Sequence, residues 1–186
     1  MNMKPTKQQL SDAVGALVPD IIGPDLKVLF CGINPSVYSA VVGYHFARPG
    51  NRFWPALHGG GFTTQRILAQ NDTDLLALGY GLTNVATRAT VAAADLSNDE
   101  LRADALLLVE KVEFYQPQWL AILGIGAYRV AFDEPRAVIG PQARVIGNTK
   151  IWVLPNPSGL NAHYTPAQLA VKFRELWDAV NAAESA

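Results

Sequence analysis

Three short apolar runs constrain this chain more than any other feature of it. Residues 28–33 read V-L-F-C-G-I, residues 119–123 read W-L-A-I-L, and residues 151–154 read I-W-V-L. Each is nearly continuous in hydrophobicity and is bounded by turn residues. That is the pattern of a strand buried on both faces, not of one that alternates between core and water. The first and last runs stop at the same tripeptide, Asn34-Pro35-Ser36 and Asn156-Pro157-Ser158. Proline cannot donate to a sheet ladder, so each strand ends there. In a parallel sheet such ends share one edge, and on that edge open α/β folds place their binding crevice.

The segments between the runs read as helices and loops. Leu10, Val14, Leu17 and Ile21 predict an amphipathic helix over residues 7–22, so residues 1–25 are expected to be an N-terminal helical extension. Residues 34–50 form a long loop rich in Gly, Pro and aromatics. Asn51-Arg52-Phe53-Trp54 opens a helix that runs to about His58, a short helix is expected near 72–78, and residues 80–85 form a further strand. Ser97-Asn98-Asp99-Glu100 has the S-x-x-E form of a capping box and starts a helix to about Tyr115. A helix follows Gly126, strands at 143–147 and 150–154 flank a turn at Asn148-Thr149, and a last helix carries Leu169, Phe173, Leu176 and Val180 on one face. Strands alternating with helices predict an α/β fold with a mainly parallel sheet. The 186 residues are enough for one domain with a substantial core, and no repeat or linker divides them.

Composition agrees: 49% of the residues are hydrophobic and 17% charged, as a sheet covered on both faces requires. No apolar stretch reaches the length of a membrane span and the N-terminus has no apolar signal region, so a cytoplasmic location is expected. Cys31 is the only cysteine, which excludes a disulfide within the chain and cysteine-rich metal sites; its place in a strand makes it a core residue. Net charge is near zero, but its distribution is uneven. Residues 26–71 and 135–174 contain nine of the fifteen Lys and Arg and none of the sixteen acids, and each stretch holds one Asn-Pro-Ser. A locally positive face around both strand ends is expected, and it would suit an anionic ligand.

Several chemistries find no support. Gly124-Ile125-Gly126 lacks the third glycine of a dinucleotide fingerprint, there is no Walker A sequence, and His45, His58 and His163 lack the spacing of a zinc site. What remains is rich in amides and aromatics. Asn34 and Asn156 stand at strand ends, Phe46 lies in the long loop, and Gly159-Leu160 forms a short tip carrying an apolar side chain. An aromatic stacks on a flat ring, an amide donates and accepts at once, and an apolar tip can wedge into a base stack.

G-I-N-P-S at 32–36, F-A-R-P-G-N-R-F-W at 46–54 and L-P-N-P-S-G-L at 154–160 resemble the mismatch-specific uracil-DNA and thymine-DNA glycosylases of the uracil-DNA glycosylase superfamily. The resemblance runs from about Leu26 to Trp177. It implies a three-layer α/β/α fold around a mostly parallel sheet. It also implies monofunctional excision of uracil from double-stranded DNA, preferentially opposite guanine, without metal or cofactor. By motif position Asn34 resembles the residue that holds the attacking water, and Phe46 the aromatic that stacks on the flipped base. Asn156 resembles a polar residue near the base, Ser158 a phosphate contact, Gly159 and Leu160 the wedge, and Ser39 a small pocket-lining residue. Three departures stand out: Ser36 where the family usually has Gly, Asn161-Ala162-His163 after the wedge where relatives often carry a basic residue, and the carboxylate of Asp95 in A-A-A-D-L-S. Ser36 adds a hydroxyl at the pocket, and Asn161 falls on the expected DNA surface.

The expected reaction begins with extrusion of the nucleotide and passes through an oxocarbenium-like sugar. A neutral Asn34 orients water but cannot take its proton, so two readings stand. In one, stabilisation of the departing uracil drives the reaction; in the other, Asp95 assists at the sugar. The chain is expected to act as a monomer without contact to membrane. A non-catalytic module that binds damaged bases and a small-molecule nucleoside hydrolase are the alternatives.

Overall fold

The computed structural model of the chain describes residues 4–184. Strand β1 (Val28–Gly32) pairs in parallel with β2 (Tyr80–Asn84) on one side and β3 (Trp119–Leu123) on the other. Strand β5 (Thr149–Leu154) continues the parallel set beside β3, and β4 (Gly140–Ile146) closes that edge antiparallel, giving the order β2-β1-β3-β5-β4. The apolar runs are these strands, and β1 and β3 are buried at every position.

Side chains of β1, β3 and β5 alternate between two cores. Val28 and Phe30, Ala121 and Leu123, and Trp152 and Leu154 face a layer built on α3 (Phe53–Gly60) and α6 (Pro166–Glu184). Leu29 and Cys31, Leu120 and Ile122, and Ile151 and Val153 face α4 (Asn98–Tyr115) and α5 (Ile125–Ala131). The result is the expected α/β/α sandwich. Its first core is aromatic: Phe30 stacks on Phe173 and meets Phe53 and Phe62 edge to face. Helices α3 and α6 approach closely because Gly60 has no side chain; a Cβ there would lie 2.5 Å from that of Phe173.

Two expectations are corrected. The N-terminal helix α1 is only Lys7–Asp12, capped by Thr6. Gly15 then takes a positive φ of 82°, and the chain runs extended until Ile21 exchanges two backbone hydrogen bonds with Leu82. Of the apolar residues read as a helix face, Ile21 covers the outer edge of β2, Leu10 packs with Ala13, Val37 and Ala89, and Val14 and Leu17 are exposed. Residues 1–3 of the expected extension lie outside the described residues. The long loop after β1 also contains a helix, α2 (Val37–Val42), between an N-cap at Ser36 and a left-handed Gly43.

Candidate active site

The parallel strands deliver their exits to one edge. Asn84 ends β2, Asn34 follows β1, Gly124 follows β3 and Asn156 follows β5. A cavity of about 250 Å³ opens there, small among ligand sites. Asn34, Ser36, Ser39, Phe46, Asn156, Ser158 and Leu160 all line it. Gly159, Asn161 and Asp95 do not.

The Asn34 amide has one orientation. Its Nδ2 donates to the Thr90 hydroxyl at 2.7 Å, with the carbonyls of Pro35 and Arg88 at 3.1 and 3.2 Å. Thr90 is itself buried and donates to the Ala92 carbonyl. Every donor of the side chain is therefore used within the protein, and Oδ1 is its remaining polar atom, an acceptor. Asn156 is the opposite case. Its Oδ1 accepts from the Ser158 N–H at 2.9 Å, and Nδ2 is the group left for a ligand.

Phe46 presents its ring from a strained backbone. Its φ is +53°, costly for a bulky residue, and its neighbours hold it there. The His45 N–H donates to Asp72, the Ala47 N–H donates to the Ser39 hydroxyl, and the Trp54 indole donates to the His45 carbonyl. Phe53 backs the ring at a centroid distance of 4.1 Å, which leaves the other side for stacking. Ser39 is buried in this role, and Ser36 caps α2 through the Ser39 N–H, so both hydroxyls line the cavity while shaping its wall.

Asn84 was absent from the sequence expectations and belongs to the site. It is 7% exposed, lines the cavity, and its amide makes no hydrogen bond among the described residues. A Cβ on Gly32 would collide with its Oδ1 and would stand 3.2 Å from the Phe46 ring. The bare backbone of Gly32 thus lets amide and ring meet over it. The sequence signal was available: Y-G-L-T-N is another apolar run ending in Asn, disguised by Gly and Thr. Behind it Thr83 donates to Asp20, which pairs with Lys111 at 2.5 Å.

Asp95 is exposed and its carboxylate accepts the Ala92 N–H at 2.9 Å, capping a single 3₁₀ turn on the far side of the rim. His45 lines the cavity with Nε2 2.9 Å from the Pro19 carbonyl, and burial holds its pKa below the usual value. Burial raises the pKa of the Asp72 carboxyl and of the core thiol of Cys31.

The acid-free stretches do not form one positive face. Arg48 lines the cavity and Arg52 lies beside its rim. Lys150, Arg144 and Arg174 instead lie over the rings of Trp119, Phe132 and Trp177, and Lys172 pairs with Glu175. Lys150 and Trp119 sit at the opposite end of their strands, because a segment leaves cations along its whole length whereas a site uses only its end.

The segment carrying Leu160 is a ridge between this cavity and a second cleft against α5; Asn156, Ser158 and Leu160 border both. Leu160 is 77% exposed at its crest. The Asn161 side chain is used inside the ridge, Nδ2 donating to the Asn156 carbonyl and Oδ1 accepting from the His163 N–H.

A family model described as the uracil DNA glycosylase superfamily matches residues 19–181. Among solved structures, the chain is similar to the solution NMR structure of a Methanosarcina acetivorans protein named, provisionally, as a uracil DNA glycosylase. The TM-score is 0.57 at 18% identity, over 88% of this chain and 99% of that one. At that identity the likeness bears on the fold.

Proposed function

Because the chain belongs to the uracil-DNA glycosylase superfamily, we propose that it is a monofunctional DNA glycosylase. In this reading it flips uracil out of double-stranded DNA, preferentially from G:U mismatches as the mismatch-specific branch would, and hydrolyses the N-glycosidic bond. It acts as a monomer, with residues 1–186 as one glycosylase domain. The observation that carries the reading is the convergence of a free acceptor on Asn34, an aromatic platform at Phe46 and an unpartnered amide on Asn84 in one small cavity.

Extrusion costs roughly a few kcal/mol and less at a mismatch, which favours uracil opposite guanine. Leu160 fills the gap left in the stack, and the flipped ring lies on Phe46. Asn84 meets the base edge, its Oδ1 accepting from N3–H and its Nδ2 donating to the adjacent carbonyl. Oδ1 of Asn34 accepts from a water and aims its oxygen at C1′. As the C1′–N1 bond breaks, uracil takes the electron pair; the water oxygen bonds to C1′, and the proton it loses neutralises the uracil anion. The Nδ2 of Asn156 is placed to steady charge developing on the base. Asp95, turned to its own backbone, has no part in this reading.

The test is incubation with duplexes carrying U·G, U·A or no uracil, followed by alkali. Strand breaks at uracil, fastest in U·G, are expected. Binding to U·G without alkali-sensitive sites would favour a damage-binding module. Cleavage of free deoxyuridine with none on DNA would favour a nucleoside hydrolase.

A further inference from the structure

The ridge that carries Leu160 has no regular secondary structure, and the side chain at its crest is exposed rather than anchored. It is tied down by a residue on another loop. The Arg52 guanidinium donates through Nη1 to the Tyr164 carbonyl at 2.6 Å, and through Nη2 to the carbonyls of Ser158 at 2.5 Å and Asn161 at 2.6 Å. The Arg52 backbone N–H donates to the Pro157 carbonyl. Its Nε is buried without a partner, and no carboxylate pairs with the cation among the described residues. Arg52 is half-buried, and a guanidinium drawn partly out of water without a countercharge is costly, so the arrangement calls for another explanation than stability. A second contact ties the same loops together: a Cβ on Gly159 would lie 2.5 Å from the Gly50 carbonyl oxygen, so backbone rests on backbone there.

We propose that Arg52 is the positioning residue of the wedge, gathering three carbonyls of the 158–164 ridge so that Leu160 meets the duplex in one rigid pose. The proposal rests on the glycosylase reading above. Turning these carbonyls inward sets a fixed positive charge behind the ridge, while the N–H groups of Ser158, Leu160, Asn161 and His163 are used within it and add to its closure. A lysine cannot replace the arginine, since one ammonium does not span three acceptors in a planar fork.

The test compares wild type with Arg52→Lys, Arg52→Ala, Leu160→Ala and the double variant Arg52→Lys/Leu160→Ala, all checked for native melting. Single-turnover excision is measured on a U·G duplex and on a duplex with uracil opposite an abasic site, where no pairing resists the flip. A misplaced wedge should slow Arg52→Lys about tenfold to 100-fold on U·G. The loss should be much smaller on unpaired uracil, and the double variant should be no slower than Leu160→Ala. Hydrogen exchange of residues 156–165, which needs no activity, should rise in Arg52→Lys. If Arg52→Ala does not fold, the lysine variant carries each comparison. Equal slowing on both substrates, multiplying penalties in the double variant, or unchanged exchange would each overturn the proposal. Wild-type speed for Leu160→Ala would sink the wedge and the proposal with it. Lack of uracil excision by wild type would overturn the glycosylase reading itself, and unchanged exchange would still separately refute the clamp.

Discussion

Asn34 and Asn156 follow the same kind of strand and open the same tripeptide, yet they offer opposite ends of the amide to the cavity. Asn34 spends its donors on Thr90, Pro35 and Arg88 and keeps an acceptor; Asn156 spends its acceptor on Ser158 and keeps a donor. An acceptor suits a water, and a donor suits developing negative charge. Asn34→Ala is therefore expected to slow single-turnover excision by about 100-fold or more, the scale of losing the orientation of a reactant. Asp95→Ala should stay near the wild-type rate; a loss matching that of Asn34→Ala would restore the carboxylate to the chemistry. Asn84→Asp replaces a donor by a second acceptor against the base edge and should lower kcat/KM for uracil by about 10- to 100-fold, as for a mispaired base contact worth about 1–3 kcal/mol. An unchanged kcat/KM would remove Asn84 from base reading.

Elements whose signals are local were legible. The apolar runs became strands within a residue or two, and α6 buries the face read from its spacing. Ser97 caps α4 as expected, its hydroxyl accepting the Glu100 N–H. The other half of the box did not form, because the Glu100 carboxylate turns to Arg88, whose carbonyl helps hold Asn34. Helix α2 has little local signal because V-Y-S-A-V-V is short and rich in β-branched residues, and its stability comes from the caps at Ser36 and Gly43. Helix α1 is shorter than its apolar spacing predicts because the four residues go to different places: Leu10 packs against Val37 and Ala89, Leu17 bridges Arg88, Ile21 bridges Leu82 in β2, and Val14 is exposed. Ser97→Ala should cost about 1 kcal/mol and lower Tm by about 2–4 °C in a chain of this size. A drop in excision larger than that loss explains would show that α4 also holds the site through Arg88.

At the scale of the molecule, the sheet edge gathers exits from four strands, and a polar layer beneath it makes stability depend on pH. Burial depresses the pKa of His45, whose surroundings include Asp72, Asp20 and Lys111. The native ring stays neutral where the unfolded one takes a proton. Its contribution is thus complete above the ordinary value of 6.5 and is lost as pH falls below it. Asp72 acts in the opposite sense, since its raised pKa means that the native state holds that proton more tightly. Denaturation midpoints should therefore fall from pH 7 towards pH 5.5, and His45→Gln should flatten this limb; an unaltered slope would assign it to other groups.

What the sequence determined by itself is the frame: which segments are buried strands, where each one stops, and that two stop at Asn-Pro-Ser on one edge. These follow from apolar runs, prolines and glycines, whose effects act within a few residues. Only the tertiary structure decided which groups meet at that edge. The Asn34 amide is oriented by Thr90 across 56 residues, and the Leu160 ridge is held by Arg52 reaching Tyr164 across 112. Asn84 enters over Gly32 from the neighbouring strand, while Asp95 is turned away by its own turn. Hydrogen bonds and close approaches of this kind depend on direction and distance between remote segments, and no local pattern encodes them.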